Sequence, residues 1–371
     1  MSKPTFLSQL AQEVLKSNSN TLSELTIVLP NKRAKVFLLE ELKLLVLNNV
    51  FAPEIISIEE FIQEVSGIRS VDSVELLFDF YEVYLSITDK DKQESFENFA
   101  NWAKTLLQDF NEIDRYLLEP NKILKYLEDI KEIEHWSVDV DKRTNLIEKH
   151  MLFWKKLPEY YHSLYQYLVN KGIGYQGLIY REAVNKLNSF SKSVPDTKYV
   201  FAGFNALNAA EEKIVQSLLA SNQAKIYWDI DQAFLNDPYH DAGLFIRRFK
   251  DKWAHYKSNP FEWVANDFLN DKKTINIIGT PKTIGQAKIA GGIIEELITK
   301  DPSISLDKVA VVLGDENMLI PLLYSLPSSV GSLNITMGFS SKNNPAQILI
   351  AKLFKMHTAA LSRNGNNYVF Y

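Results

Sequence analysis

The sequence contains no cysteine. That excludes a disulfide framework, thiolate zinc sites, cysteine-ligated iron–sulfur clusters and a cysteine nucleophile within these residues. Glycine and proline are scarce, at 14 and 13 of 371 residues, which rules out collagen-like and low-complexity architectures. No apolar run approaches the roughly 18 residues needed to cross a bilayer. The opening, MSKPTFLSQLAQEVLK, lacks the apolar centre of a signal peptide and patterns instead as an amphipathic helix. The six histidines show neither H-x-x-x-H nor H-E-x-x-H spacing, so no zinc site is suggested. There is no G-x-x-x-x-G-K-[ST] phosphate loop and no G-x-S-x-G elbow. A soluble cytoplasmic protein with no cofactor of its own and no membrane partner is the expectation.

What is present is an ordinary folded composition, 46% hydrophobic and 23% charged, in a chain too long for one core. Charge is uneven. Residues 1–70 carry 7 basic and 8 acidic side chains, 71–150 carry 10 and 19, and 151–371 carry 24 and 19. The acidic middle reads as solvated helix faces, and a mildly acidic total leaves room for a local basic face.

Periodicity divides the chain further. Residues 25–29 (LTIVL) predict a strand that stops at the turn Pro30-Asn31, followed by a helix over 33–47 with Phe37, Leu38, Leu42, Leu45 and Val46 as its stripe. A second strand is expected at 55–58, with Ser57 and Glu60 forming a capping box for the next helix. From 72 to 171 every segment repeats at helical spacing, broken at Pro120 and across 137–143. Strand and helix then alternate: strands at 199–202 and 224–229, helices at 177–187, 208–219 and 244–253. A last series places strands at 275–279, 309–313 and 333–337 between helices at 285–299, 316–325 and 345–357. Such alternation implies parallel sheets with helices on both faces. The ending, polar and then YVFY, closes no unit and suggests a piece of a longer protein.

Several motif-like stretches are better explained structurally. Gly172-Ile-Gly174-Tyr-Gln-Gly177 fits the dinucleotide pattern but follows a helix, where glycine serves as a C-cap. Pro195-Asp196 with Glu211-x-Lys213 imitates a nuclease pattern, yet its second half lies in a helix. Asp229 and Asp231 read as a polar strand end that caps the next turn; as a candidate divalent-metal pair they are the basis for an alternative reading as a metal-dependent nucleotide-sugar transferase. The aromatic stripe Phe153, Trp154, Tyr161, Tyr165 and Tyr167 reads as helix core.

Four ordered segments resemble degenerate superfamily 1 DNA helicase motifs. They are Val28-Leu-Pro-Asn31-Lys32-Arg33-Ala34, Ser57-Ile-Glu-Glu-Phe61, the stretch from Tyr199 to Glu211, and Trp228-Asp229-Ile-Asp231-Gln232. Stretches 280–297 and 309–323 resemble the opening of the second helicase lobe. The set is similar to AddB/RexB-type subunits of helicase–nuclease complexes, and most of all to Bacteroidetes-type PD-(D/E)XK nuclease family proteins.

The resemblance implies a RecA-like parallel-sheet lobe (1–71 and 172–272) holding an all-helical insertion (72–171), and the truncated start of a second lobe (273–371). It implies a DNA-repair role in which DNA is bound and ATP is not hydrolysed, because Ala202 and Gly203 stand where the metal-binding acids belong. Asn205, Asp229 and Gln232 complete that degenerate nucleotide motif. The expected partners are single-stranded DNA or duplex ends and a helicase–nuclease subunit. A nuclease domain would lie beyond this chain. Phosphate contacts are expected from Asn31, Lys32 and Arg33, where a helix N-terminus adds free N–H groups, and from Arg247, Arg248 and Lys250 beside Phe249 and Trp253. A third reading is a purely structural module that docks a partner subunit.

Overall fold

A computed structural model describes residues 4–17, 22–46, 50–134, 145–195, 197–338 and 340–362. The stretch 137–143, Asp196 and the residues from 363 onward, each used in the sequence reading, lie outside the described residues. The chain divides into two compact units, Met1–Asp271 and Lys272–Tyr371.

The first unit opens with helix α1 (Phe6–Ser17), strand β1 (Leu25–Leu29) and helix α2 (Lys32–Leu45). Strand β2 (Glu54–Ser57) runs straight into α3 (Ile58–Ser66), and the capping box forms as expected: the Glu60 N–H donates to Ser57 Oγ at 3.3 Å, and the Ser57 N–H donates to Glu60 Oε2 at 2.9 Å. A two-residue strand β3 (Arg69–Ser70) leads into α4 (Ser73–Ile87), α5 (Phe96–Arg115), α6 (Pro120–Glu134) and α7 (Asn145–Lys171). Pro120 sits at the first position of α6, where its missing N–H costs nothing. Strand β4 (Ile173–Gly174) pairs back onto β3, and α8 (Gln176–Ser193), β5 (Lys198–Ala202), α9 (Ala209–Ala220) and β6 (Ala224–Tyr227) follow. Strand β7 (Ile230–Asp231), helices α10 (Gln232–Asn236) and α11 (Leu244–Lys252), and strand β8 (Val264–Ala265) complete the unit.

The main sheet has four strands in the order β2-β1-β5-β6, and every pairing is parallel. The excursion from β3 to β4 is therefore inserted between two strands of one sheet. Both faces of the sheet are covered, which is why β1 is buried at all five positions and reads as an unbroken apolar run. Ile27, Leu29, Val200 and Ala202 meet Leu10, Val14 and Leu38 from α1 and α2. On the opposite face Val28, Tyr199 and Phe201 join Phe61, Leu178 and Ile214 from α3, α8 and α9.

The glycines of 172–177 have separate structural duties. Gly172 adopts φ +68° at the end of α7, and a side chain at Gly177 would come within 2.2 Å of the Asn111 carbonyl oxygen. Tyr161 is buried, and the other four aromatics of the α7 stripe pack against the same core, as read from the sequence.

Asp114 of α5 is the main polar group inside this core, with a relative exposure of 0%. It accepts hydrogen bonds from Tyr161, from Tyr175 Oη at 2.5 Å and from Arg181 Nε at 2.5 Å. Arg181 also donates to the carbonyls of Ile113 and Leu118, at 3.0 and 2.6 Å. Burial pushes the Asp114 carboxyl up, and the two phenols and the guanidinium hold it partly back.

The second unit contains α12 (Thr283–Lys300), α13 (Leu319–Leu323) and α14 (Pro345–Ser362). The strands expected at 275–279, 309–313 and 333–337 are not formed: these residues join no ladder among the described residues. Ile277 and Val312 are 96% and 90% exposed. A β-branched run becomes a strand only where a neighbour pairs its backbone and covers its side chains, and among the described residues none of these runs is paired. A second parallel sheet is thus corrected to extended segments between helices.

Among the described residues no helix is long and apolar enough to cross a membrane.

Candidate functional site

The connection from β1 through α2 runs to β2 on one side, whereas the connection from β5 through α9 runs to β6 on the other. The two helices accordingly lie on opposite faces. Between the carboxyl ends of β1 and β5 the order of connection therefore reverses, which is where open parallel sheets leave a crevice for ligands. Asn31, Lys32 and Arg33 follow β1 directly; Gly203, Phe204 and Asn205 follow β5. Gly203 turns with φ +75°, a conformation that disfavours any side chain. Asn205 is exposed, and Ala202 is fully buried.

The local chemistry at α2 is unusual for a helix start. Asn31 is its N-cap, accepting from the Ala34 N–H at 3.1 Å. The first turn carries no acid but holds Lys32, Arg33 and, one residue on, Lys35. Cations at this end oppose the helix dipole, whereas α3 and α9 carry Glu59, Glu60, Glu211 and Glu212 in their first turns. Lys32 offsets its position by pairing with Glu60 Oε1 at 2.8 Å, a link from α2 to α3. That bond, followed by the Ser57 backbone N–H, lowers the Glu60 carboxyl to about 2. Arg33 and Lys35 are exposed and make no ion pair among the described residues.

The second basic group is placed differently from the first. α11 packs on the α9 face of the sheet through Ile246, Phe249 and Trp253, while α2 covers the other face, so the two groups do not form one patch. Arg247 is engaged in structure: its guanidinium donates to the carbonyls of Phe234, Pro238 and His240 at 2.5, 3.3 and 2.8 Å. Arg248 pairs with Glu212 Oε2 at 2.9 Å, and the buried Trp253 indole donates to the other oxygen of Glu212. Lys250 is exposed, with its ammonium 5.8 Å from the centre of the Phe261 ring.

The two carboxylates of the alternative metal-pair reading have separate settings, and the strand-end cap read from the sequence forms at Asp231. Asp231 caps α10: Oδ1 accepts from the Ala233 N–H at 2.9 Å, and Oδ2 accepts from the N–H groups of Asp267 and Phe268 at 2.7 and 2.9 Å. Both oxygens are thus turned to backbone donors. Asp229 lies on a cleft with Trp263, and desolvation pushes its carboxyl up. Gln232 is the exposed first residue of α10. Glu211 closes a capping box with Asn208, and Lys213 projects into solvent from the same helix. Among the described residues no group of three or more metal-ligating side chains converges.

Sequence reasoning missed Glu60 and Glu212 as the ion-pair partners of Lys32 and Arg248. The capping boxes are readable as four-residue patterns, but the partner of Lys32 is 28 residues away and no local pattern points to it. No protein-family model matches the chain, and no curated protein matches it.

Proposed function

We propose that this chain is a DNA-binding module built on a helicase-like, RecA-type first lobe that no longer hydrolyses ATP. The observation that carries the reading is the start of α2. Three cations and no acid occupy a helix N-terminus at the crevice between β1 and β5, and two of those cations have no ion-pair partner among the described residues. Free N–H groups and basic side chains converging there suit a phosphate backbone. Supporting it are the parallel four-stranded sheet, the helical block inserted between β2 and β5, and a sequence with Ala202-Gly203 in place of an acidic pair. Within this reading the chain serves a double-strand-break repair helicase–nuclease, binding single strands or duplex ends beside a motor subunit. Arg33 and Lys35 take the leading role, Lys32 is shared with Glu60, and Arg247 and Arg248 act structurally.

The test is a salt titration of binding to labelled single-stranded and blunt duplex DNA. Wild type should bind with a steep salt dependence and turn over no ATP. The double variant Arg33→Glu/Lys35→Glu should lower the logarithmic salt slope by roughly 1.4 for single strands, at about 0.7 per lost phosphate contact. An unchanged slope, or measurable ATP turnover, would count against the proposal.

A further inference from the structure

Strand β6 is an edge of the sheet, and its outer side is unpaired among the described residues. The parity of its ladder fixes which groups are open. The Tyr199 and Gly203 N–H groups donate to the carbonyls of Gln223 and Tyr227 at 2.8 and 3.0 Å. In a parallel ladder alternate residues face the same neighbour, so the backbone groups of Ala224 and Ile226 face outward.

Two clefts lie near this edge, and residues of α1 line both. One, of about 220 Å³, lies under α1 across the amino ends of β1, β5 and β6, lined by Val14, Leu25, Lys198, Val200, Ala224 and Lys225. The other, of about 420 Å³, is lined by Phe6 and Gln9 together with Asp229, Trp263 and Asp267, beyond its carboxyl end. The strip between them follows a four-residue strand. Its ends carry opposite charge: Lys198 and Lys225 are exposed at one, and the carboxylates of Asp229 and Asp267 stand at the other.

We propose that the open edge of β6, near clefts lined by α1, receives an extended peptide segment as a fifth parallel strand. Backbone bonds to Ala224 and Ile226 would supply affinity, and the charged ends would supply direction. The occupant that fits is four or five apolar residues with an acidic residue before them, facing Lys198 and Lys225, and a basic residue after them, facing Asp229. An apolar run suits the position because β-branched and aromatic side chains pack best on a strand's neighbours. The short strand and the exposed Lys225 guard the edge against indiscriminate pairing, which leaves selection to the charges. The proposal is independent of DNA binding and concerns the opposite end of the sheet's strand order from β2.

The experiment uses the full chain and fluorescein-labelled, end-blocked peptides followed by anisotropy without nucleic acid. EVVIVR should bind saturably, the charge-reversed RVVIVE at least about tenfold more weakly, and EVPIVR more weakly again. Methylating the alternate peptide nitrogens that face β6 should weaken binding by roughly tenfold per blocked bond, while methylating the other set should leave it unchanged. The variant Lys225→Glu/Asp229→Lys, confirmed folded by circular dichroism, should prefer RVVIVE. Absence of saturable binding of EVVIVR, equal effects of the two methylation sets, or a wild-type preference for RVVIVE overturns the proposal. The methylated peptides need no change to the protein, so a variant that fails to fold leaves the test intact.

Discussion

Replacing Asp114 with alanine removes the acceptor at the centre of the helical block. Three donors lose their partner at once: Tyr161, Tyr175 and the Nε of Arg181. Arg181 keeps its bonds to the carbonyls of Ile113 and Leu118, so its charge is stranded only in part. Breaking a buried ion pair from one side costs about 3–5 kcal/mol, and each orphaned hydroxyl adds up to about 1 kcal/mol with losses that overlap. Taken together, Asp114→Ala should destabilise the first unit by about 4–5 kcal/mol. The assay is urea unfolding at neutral pH, followed by tryptophan fluorescence and by far-UV circular dichroism, with the midpoint compared at constant slope. Asp114→Asn, which keeps one acceptor and loses the charge, should fall between wild type and alanine. A combined change of Asp114→Leu, Arg181→Met, Tyr161→Phe and Tyr175→Phe should recover most of the loss, because apolar groups of similar volume often replace a buried polar cluster without penalty. A cost below about 1 kcal/mol for Asp114→Ala would refute the reasoning, since it would mean that the three donors find other partners or water.

Other outcomes follow from the same geometry. Gly177→Ala should destabilise the α5–α8 junction by about 1–3 kcal/mol in the same unfolding assay, since the new methyl group would press on the Asn111 backbone. Asp231→Ala should cost about 1–2 kcal/mol through the lost cap and the two lost bonds to 267–268, with Asp231→Asn restoring part of it; calorimetry would read both. Glu60 has its folded pKa depressed, so its contribution is present above the unfolded carboxylate range and is lost as pH falls from about 4.5 through about 2. Glu60→Gln should flatten that acid limb of stability, by less than about 1 kcal/mol because the side chain is 42% exposed and screened.

How much of this was legible in the sequence depended on how local each cause is. Strand β1, the Pro30-Asn31 turn and the Ser57 capping box are written within a few residues, and all three formed as read. The acceptors of Arg247 are carbonyls of α10 and of the loop after it, up to 13 residues away, so a basic run on an amphipathic helix looked like a phosphate contact when one of its members ties down those segments. At Asp231 the cap on the next turn was readable from the sequence, whereas its bonds to the backbone of 267–268, some 36 residues on, were not. The runs at 275–279, 309–313 and 333–337 have every intrinsic preference of strands, but pairing is a property of neighbours that composition does not encode. For the candidate site, the turn after β1 was visible and its convergence with the end of β5 was not, since that depends on strand order.

The insertion between β2 and β5 has a consequence for biosynthesis. β1 bonds to β5 through Leu25–Lys198, Thr26–Tyr199 and the two pairs after them, so its inner edge waits for a partner some 170 residues downstream. At about 5–20 residues per second on the ribosome, that delay is roughly 8–35 s. Throughout it, a five-residue apolar edge is exposed on the nascent chain with only β2 beside it. Slower elongation within the helical block would lengthen this window, and a chaperone that shields the emerging amino-terminal segment would act on the step most prone to mispairing.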